Sequence, residues 1–348
     1  MKFLIIVITF TVTSSLSYSA TNRSGIIISY SESADYFEIM ENLSVADNPV
    51  SQIYKTHLRN TFFENSADKQ WLDWYQDFRK KYYRTFKVTE GSFFSELDLV
   101  IDPVMESFFD ANRPLLAITN LQDKLNGDQL QSLGKFYEHF NFKIAELVRL
   151  SAAREAEVAN LEKELKKANF KNILNAAATF FSIPKHLSSY LRVHFVWFPK
   201  EEDMQVSYAN NYIVIRIHPE KSSELKKEDI MKILINYLMR VMPSGQKKVL
   251  TDKMLGGCDL TKYFPRTDIL QEPLSIIIGG IYLGSKYDRK NFDLTKTWST
   301  NPWINTYAKL LYPKVEKSIK DKQSIMSADF WDTAITTCDD LLTLGKLI

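Results

Sequence analysis

Cysteine is almost absent. The 348 residues hold two, Cys258 and Cys338, too few for a disulfide scaffold or a cysteine-rich zinc module. Histidine is scarce as well: His57, His139, His186, His194 and His218 are the five. None stands three or four residues from another, so no helix face presents a histidine pair to a metal. Glycine and proline number 11 each, which excludes a collagenous or low-complexity chain and disfavours a turn-rich all-β one. Neither sign of charge dominates. The 44 Lys and Arg face 42 Asp and Glu, a net +2, which removes the electrostatic ground for a nucleic-acid partner. No apolar run reaches the roughly 20 residues that cross a bilayer, so no membrane span is expected. The G-x-S-x-G elbow, the phosphate-binding P-loop and the G-x-G-x-x-G fingerprint are missing.

What is present is globular in character. Aromatic residues make up 13%, too many for intrinsic disorder. At about 150 residues per domain, the length allows one large or two modest domains. Residues 1–20, MKFLIIVITFTVTSSLSYSA, place Lys2 before an apolar run and small residues after it. That is the plan of a secretory signal peptide, with cleavage after Ser19 or Ala20. The protein is therefore expected to be exported, either periplasmic or secreted. In an oxidising compartment Cys258 and Cys338 either pair or stay as two buried thiols.

The pattern along the chain is mainly helical. Residues 25–30 (GIIISY) read as a short strand, and residues 31–42 as a helix. In 68–86, Trp71, Trp74, Tyr75 and Phe78 recur at helical spacing and form a core face. Helical patterning continues through 97–109, 129–140 and the highly charged 141–170. Residues 189–198 and 208–217 are β-branched and aromatic, and read as two strands, antiparallel neighbours in one sheet. Next, Ile230, Ile233, Leu234, Tyr237, Leu238, Val241 and Met242 form a broad apolar helix face for burial against that sheet. An apolar segment at 274–283 reads as another buried helix, with Gly279-Gly280 permitting close packing. The expected fold is α+β: mainly helical, with a small mixed or antiparallel sheet packed on the helix near 228–242. Residues 21–185 form a helical N-terminal region and 186–348 a strand-containing second region.

Strand, loop, strand, amphipathic helix and a later helix opened by Glu272-Pro273 follow one another in the second region. Over about 189–285 this order resembles the catalytic half of gluzincin-type zinc metallopeptidases. In that family H-E-x-x-H on the first helix supplies two ligands and the base, and a later glutamate supplies the third ligand. The best register puts Asn236 and Arg240 at the histidines, Tyr237 at the base and Glu272 at the third ligand. Three of the four positions depart from the motif. The resemblance thus implies a zincin-like fold that has lost its zinc, with no cofactor and no peptidase activity. It also implies a cleft for a peptide or protein partner beside an edge strand, with 208–217 as the candidate edge. Arg240 is expected to pair with Glu272 in place of the metal, with Asn236 hydrogen-bonding nearby. Two other readings stand beside this one. An active metal-dependent peptidase would gather His194, His218, Asp252 or Asp259 around Glu272. An unrelated helical scaffold would use Trp71, Trp74, Trp298, Trp303 and Trp331 in its core or an interface.

Overall fold

A computed structural model describes residues 25–63, 65–86, 93–149, 153–184, 190–201, 204–258, 266–282 and 293–345. The leader-like stretch 1–20 and Asp259 lie outside the described residues. The architecture is mainly helical α+β with a four-stranded mixed sheet and a two-stranded antiparallel one. No helix among the described residues is long and apolar enough to cross a membrane.

The first strand, β1 (Gly25–Tyr30), runs straight into α1 (Glu32–Ser44). Ser31 stops the strand and caps the helix, its Oγ accepting from the Ala34 N–H at 3.1 Å. Helix α1 is buried almost along its whole length. Its carboxylates Asp35, Glu38 and Glu41 meet three arginines from distant parts of the chain. Arg154 approaches Asp35 at 3.9 Å, Arg216 pairs with Glu38 at 2.8 Å and Arg79 with Glu41 at 2.8 Å. Around α1 pack α2 (Pro49–His57), α3 (Arg59–Phe62) and α4 (Ser66–Tyr82). Tyr75 and Phe78 of α4 are buried, and Trp71 and Trp74 pack against the same core. The helical stretch expected to reach residue 86 stops at Tyr82, and Arg84–Phe86 forms β2. Likewise 97–109 is not all helix. Leu99–Ile101 is β3, antiparallel to β2, and α5 (Pro103–Asp110) begins only where Asp102 caps it and Pro103 takes the first turn. The helices α6 (Pro114–Thr119), α7 (Gly127–Val148), α8 (Arg154–Lys167) and α9 (Phe170–Phe180) lead to the sheet.

The sheet corrects the expected strand pairing. Strand β4 (Tyr190–Trp197) lies between β1 and β6 (Tyr212–Ile217), parallel to both, and β5 (Gln205–Ala209) is antiparallel to β6. The run 208–217 is broken at Asn210, whose φ of 50° turns the chain back on itself. Asparagine tolerates this left-handed conformation better than most residues. Strand β6 then inserts between β4 and β5, which makes the β4–β6 pair parallel. The outer strand is therefore β5, and most of 208–217 is interior.

Side chains alternate across the sheet with period two. Leu191, Val193 and Phe195 of β4 and Ile213, Ile215 and Ile217 of β6 join one core. Val196, Tyr212 and Val214 join the other, which holds α1 and its neighbours. Against the first face packs α10 (Lys227–Arg240), burying Ile230, Ile233, Leu234, Tyr237 and Leu238 as the periodicity expects. Then come α11 (Ser244–Gly257) and α12 (Arg266–Ser275). The Glu272-Pro273 pair does not open a helix: Pro273 lies inside α12, and beyond it Ile276–Tyr282 widens to a π-helix. A proline supplies no N–H to the regular ladder. A Cβ built on Gly279 would lie 2.6 Å from the Lys232 Cα and N, so glycine permits this close approach to α10. The chain ends in α13 (Pro302–Lys320) and α14 (Ala328–Gly345). Cys258, at the end of α11, is disulfide-bonded to Cys338 of α14, with Cα atoms 5.9 Å apart.

Candidate functional site

The residues singled out on α10 and α12 come together, but not as expected. Asn236 Oδ1 accepts from Gln271 Nε2 at 3.3 Å, the residue before Glu272. Tyr237 is buried, and its hydroxyl donates to the Asn210 carbonyl at 3.2 Å, in the turn between β5 and β6. Burial pushes its phenol up to about 12. Glu272 is half-buried, and its charge reaches the Tyr208 hydroxyl, as does that of Arg240. Among the described residues, Arg240 forms no ion pair with Glu272. Its Nη1 donates instead to the Glu96 carbonyl at 2.7 Å, and its guanidinium sits 4.4 Å from the Tyr208 ring centroid. A backbone carbonyl has taken the cation that the sequence reading assigned to a carboxylate. Desolvation lowers the Arg240 pKa from its ordinary value, yet a guanidinium remains charged and offers only donors. It cannot ligate a metal, so the residues at these positions do not fit a zinc ion.

The carbonyl belongs to an irregular segment, 93–98, held against three helices. The Phe93 N–H donates to Thr251 Oγ1 of α11 at 3.3 Å. The Ser95 N–H donates to Gln271 Oε1 of α12 at 2.6 Å. Lys247 of α11 donates to the Ser95 carbonyl at 3.0 Å and the Arg240 carbonyl at 2.8 Å. It also pairs with the Glu96 carboxylate at 2.6 Å. At the end of the segment Asp98 bridges to Ala209, in parallel, at the tip of β5, and the Asp98 carbonyl accepts from the Asn210 N–H at 3.0 Å. The side chains of Phe93 and Phe94 are buried in the core beneath. Lys247 is itself almost fully buried, and desolvation lowers its pKa against the opposing pull of Glu96. Tyr208, on the edge strand, has its phenol pushed by burial up to about 12. The result is a slot that grips main chain through fixed polar side chains.

Among the described residues, the atypical metal ligands do not converge on Glu272. His194 faces the α1 side of the sheet, beside Phe109 and Tyr212, whereas α10 and α12 lie on the other side. Strand periodicity alone separates it from Glu272. Asp252 is exposed on α11. His218 lies beyond β6, where its ligand atoms come within 4.8 Å of those of Glu201 and Glu220. There His218 Nδ1 accepts from the Glu220 N–H at 3.4 Å. A separate cleft of about 600 Å³ opens at the start of α1, lined in part by Glu32, Arg113, Arg149 and Glu155. Its mixed charge selects no ligand.

No protein-family model, curated protein or solved structure matches this chain. The site is thus read from its own geometry. Lys247, Thr251 and Gln271 were not singled out in the sequence, and of 93–98 only 97 and 98 were, as the start of an expected helix. Gln271 stands next to Glu272 and was within reach of it. Lys247 and Thr251 are polar positions on an otherwise ordinary helix, and only the contacts distinguish them.

Proposed function

We propose that this is an exported protein with a metallopeptidase-like architecture that binds non-helical peptide or protein segments and does not cleave them. One observation carries the reading. Successive main-chain groups of 93–98 are held by Thr251, Gln271, Lys247 and Arg240, beside the edge strand β5. Contacts to main chain recognise a peptide through groups that every residue carries, and side-chain pockets then select among peptides. In the gluzincin register Arg240 stands where a ligand of the metal would be, and its guanidinium donates to a peptide carbonyl. A cation that cannot activate water favours holding over hydrolysis. The leader-like residues 1–20 and the Cys258–Cys338 bridge support export, since disulfides persist in oxidising compartments.

The test is metal content of the purified protein, in wild type and Glu272→Ala, with a peptidase assay on a mixed peptide pool. The reading expects no stoichiometric metal and no cleavage. Near-stoichiometric zinc that disappears in Glu272→Ala, with hydrolysis of the pool, would overturn it in favour of an active peptidase.

A further inference from the structure

We infer that 93–98 is an exchangeable occupant of the slot, and that the partner the slot fits is a peptide of the pattern aromatic-aromatic-small-acidic. The inference rests on the peptide-binding reading above and names the ligand. The present occupant displays the required chemistry. Phe93 and Phe94 fill apolar space in the core, so two adjacent aromatic side chains are wanted there. The Ser95 main chain is held by Gln271 and Lys247. Glu96 supplies a carboxylate to Lys247 at 2.6 Å. Without an acid at that place a buried ammonium would lose its counter-charge, which makes the acidic position selective.

The way the segment is held also favours exchange. Residues 93–97 belong to no helix or strand, and among the described residues an isolated bridge at Asp98 joins them to the sheet. Their polar partners are side chains from α10, α11 and α12, elements that keep their own backbone ladders when the segment leaves. The buried Phe93 and Phe94 oppose local opening, so the segment of the wild-type chain should leave only rarely. A peptide in solution competes with a tethered copy whose effective concentration is of millimolar order. Wild type should therefore bind it weakly, and a chain whose own segment is weakened should bind it well.

The probe is an acetylated, fluorescein-labelled peptide of residues 92–100, SFFSELDLV, read by anisotropy with full-length protein. The Phe93→Ala/Phe94→Ala double variant is expected to bind it at least about 10-fold more tightly than wild type does. A peptide with lysine at the glutamate position should bind the same variant at least about 10-fold less tightly. A double variant that melts cooperatively yet binds no better than wild type would overturn the inference. Unmodified protein provides a second readout independent of that variant's folding. Millimolar isotopically labelled peptide should accelerate amide exchange across 93–98, and unchanged protection there would equally overturn exchange. Binding of unrelated peptides but not of this one would defeat the inference and leave the peptide-binding reading standing. Stoichiometric zinc with hydrolysis would defeat that reading itself.

Discussion

Arg240 Nη1 stands 2.7 Å from the carbonyl oxygen of Glu96, a residue 144 positions away in the chain. This contact joins the end of α10 to a segment that has no regular hydrogen bonding of its own. A hydrogen bond from a charged donor contributes about 1.5–3 kcal/mol when its partner is otherwise buried. Arg240→Leu is thus expected to lower stability by about 2 kcal/mol in denaturant unfolding. Amide exchange across 93–98 should rise, while exchange in α1 stays as in wild type. Equal exchange in both proteins would mean that the guanidinium does not hold the segment.

Gly279 and Gly280 predict a contrast within one dipeptide. A methyl at Gly279 meets the backbone of Lys232 at 2.6 Å, which no side-chain rotation relieves. At Gly280 it meets only the Cε of Lys232 at 3.2 Å, the mobile end of a long side chain. Gly279→Ala should cost at least about 1–3 kcal/mol through forced backbone movement. Gly280→Ala should melt within a few degrees of wild type. Thermal unfolding of the two single variants decides it.

The Cys258–Cys338 bridge spans a sequence separation of 80 residues. On the chain-entropy model a closed loop of that size stabilises by about 4 kcal/mol. Cys338→Ser should unfold at correspondingly lower urea. Reductant should destabilise wild type and leave the variant unchanged.

His194 is buried beside Phe109 and Tyr212, and burial depresses its pKa from 6.5 to about 3. The folded protein therefore resists a proton that the unfolded chain accepts. The contribution of this group is complete above about pH 6.5 and falls as the pH drops towards 3, by up to about 1.4 kcal/mol per unit. Asp35 acts in the opposite sense. Desolvation raises its pKa from 3.8 to about 6, so its effect favours folding as the pH falls through that window. The two partly cancel in wild type. The comparison to make is the difference in unfolding free energy between wild type and His194→Asn across pH 7 to 4. Wild type should lose ground steadily as the pH falls, and a flat difference would exclude this role for His194.

Arg79 is fully buried between Glu41 and Asp102. Removing it leaves two carboxylates without their cation, and burial already raises the Glu41 pKa. Arg79→Met should cost about 3–5 kcal/mol near neutral pH. The loss should shrink in acid, as the stranded carboxylates take up protons. Urea unfolding at pH 7 and pH 5 measures both.

Much of this molecule was legible in the residues. The expected apolar face of α10 is buried as the helical period requires, but Met231, Ile235 and Met239, outside that face, are buried as well, because α10 is covered on more than one side. The start of α5 was not legible: the helical pattern ran on through 97–109, and only the structure shows Leu99–Ile101 as a strand and Asp102 as the cap. The β-branched and aromatic runs 189–198 and 208–217 were legible as strands, though not the break at Asn210 that divides the second between β5 and β6. Their direction was not: the same alternation suits a parallel or an antiparallel neighbour. Only the insertion of β6 between β4 and β5 made the β4 pairing parallel and left β5 outermost.

The candidate site divides the same way. The sequence by itself determined that Arg240 brings a permanent cation to a half-apolar helix, and that Glu272 follows on a neighbouring one. Tertiary structure decided what the cation meets. Charge has a sequence signature, and it pointed to a carboxylate. A backbone carbonyl has none, since every residue carries one, and which of them reaches Arg240 depends on how segments far apart in the chain pack together.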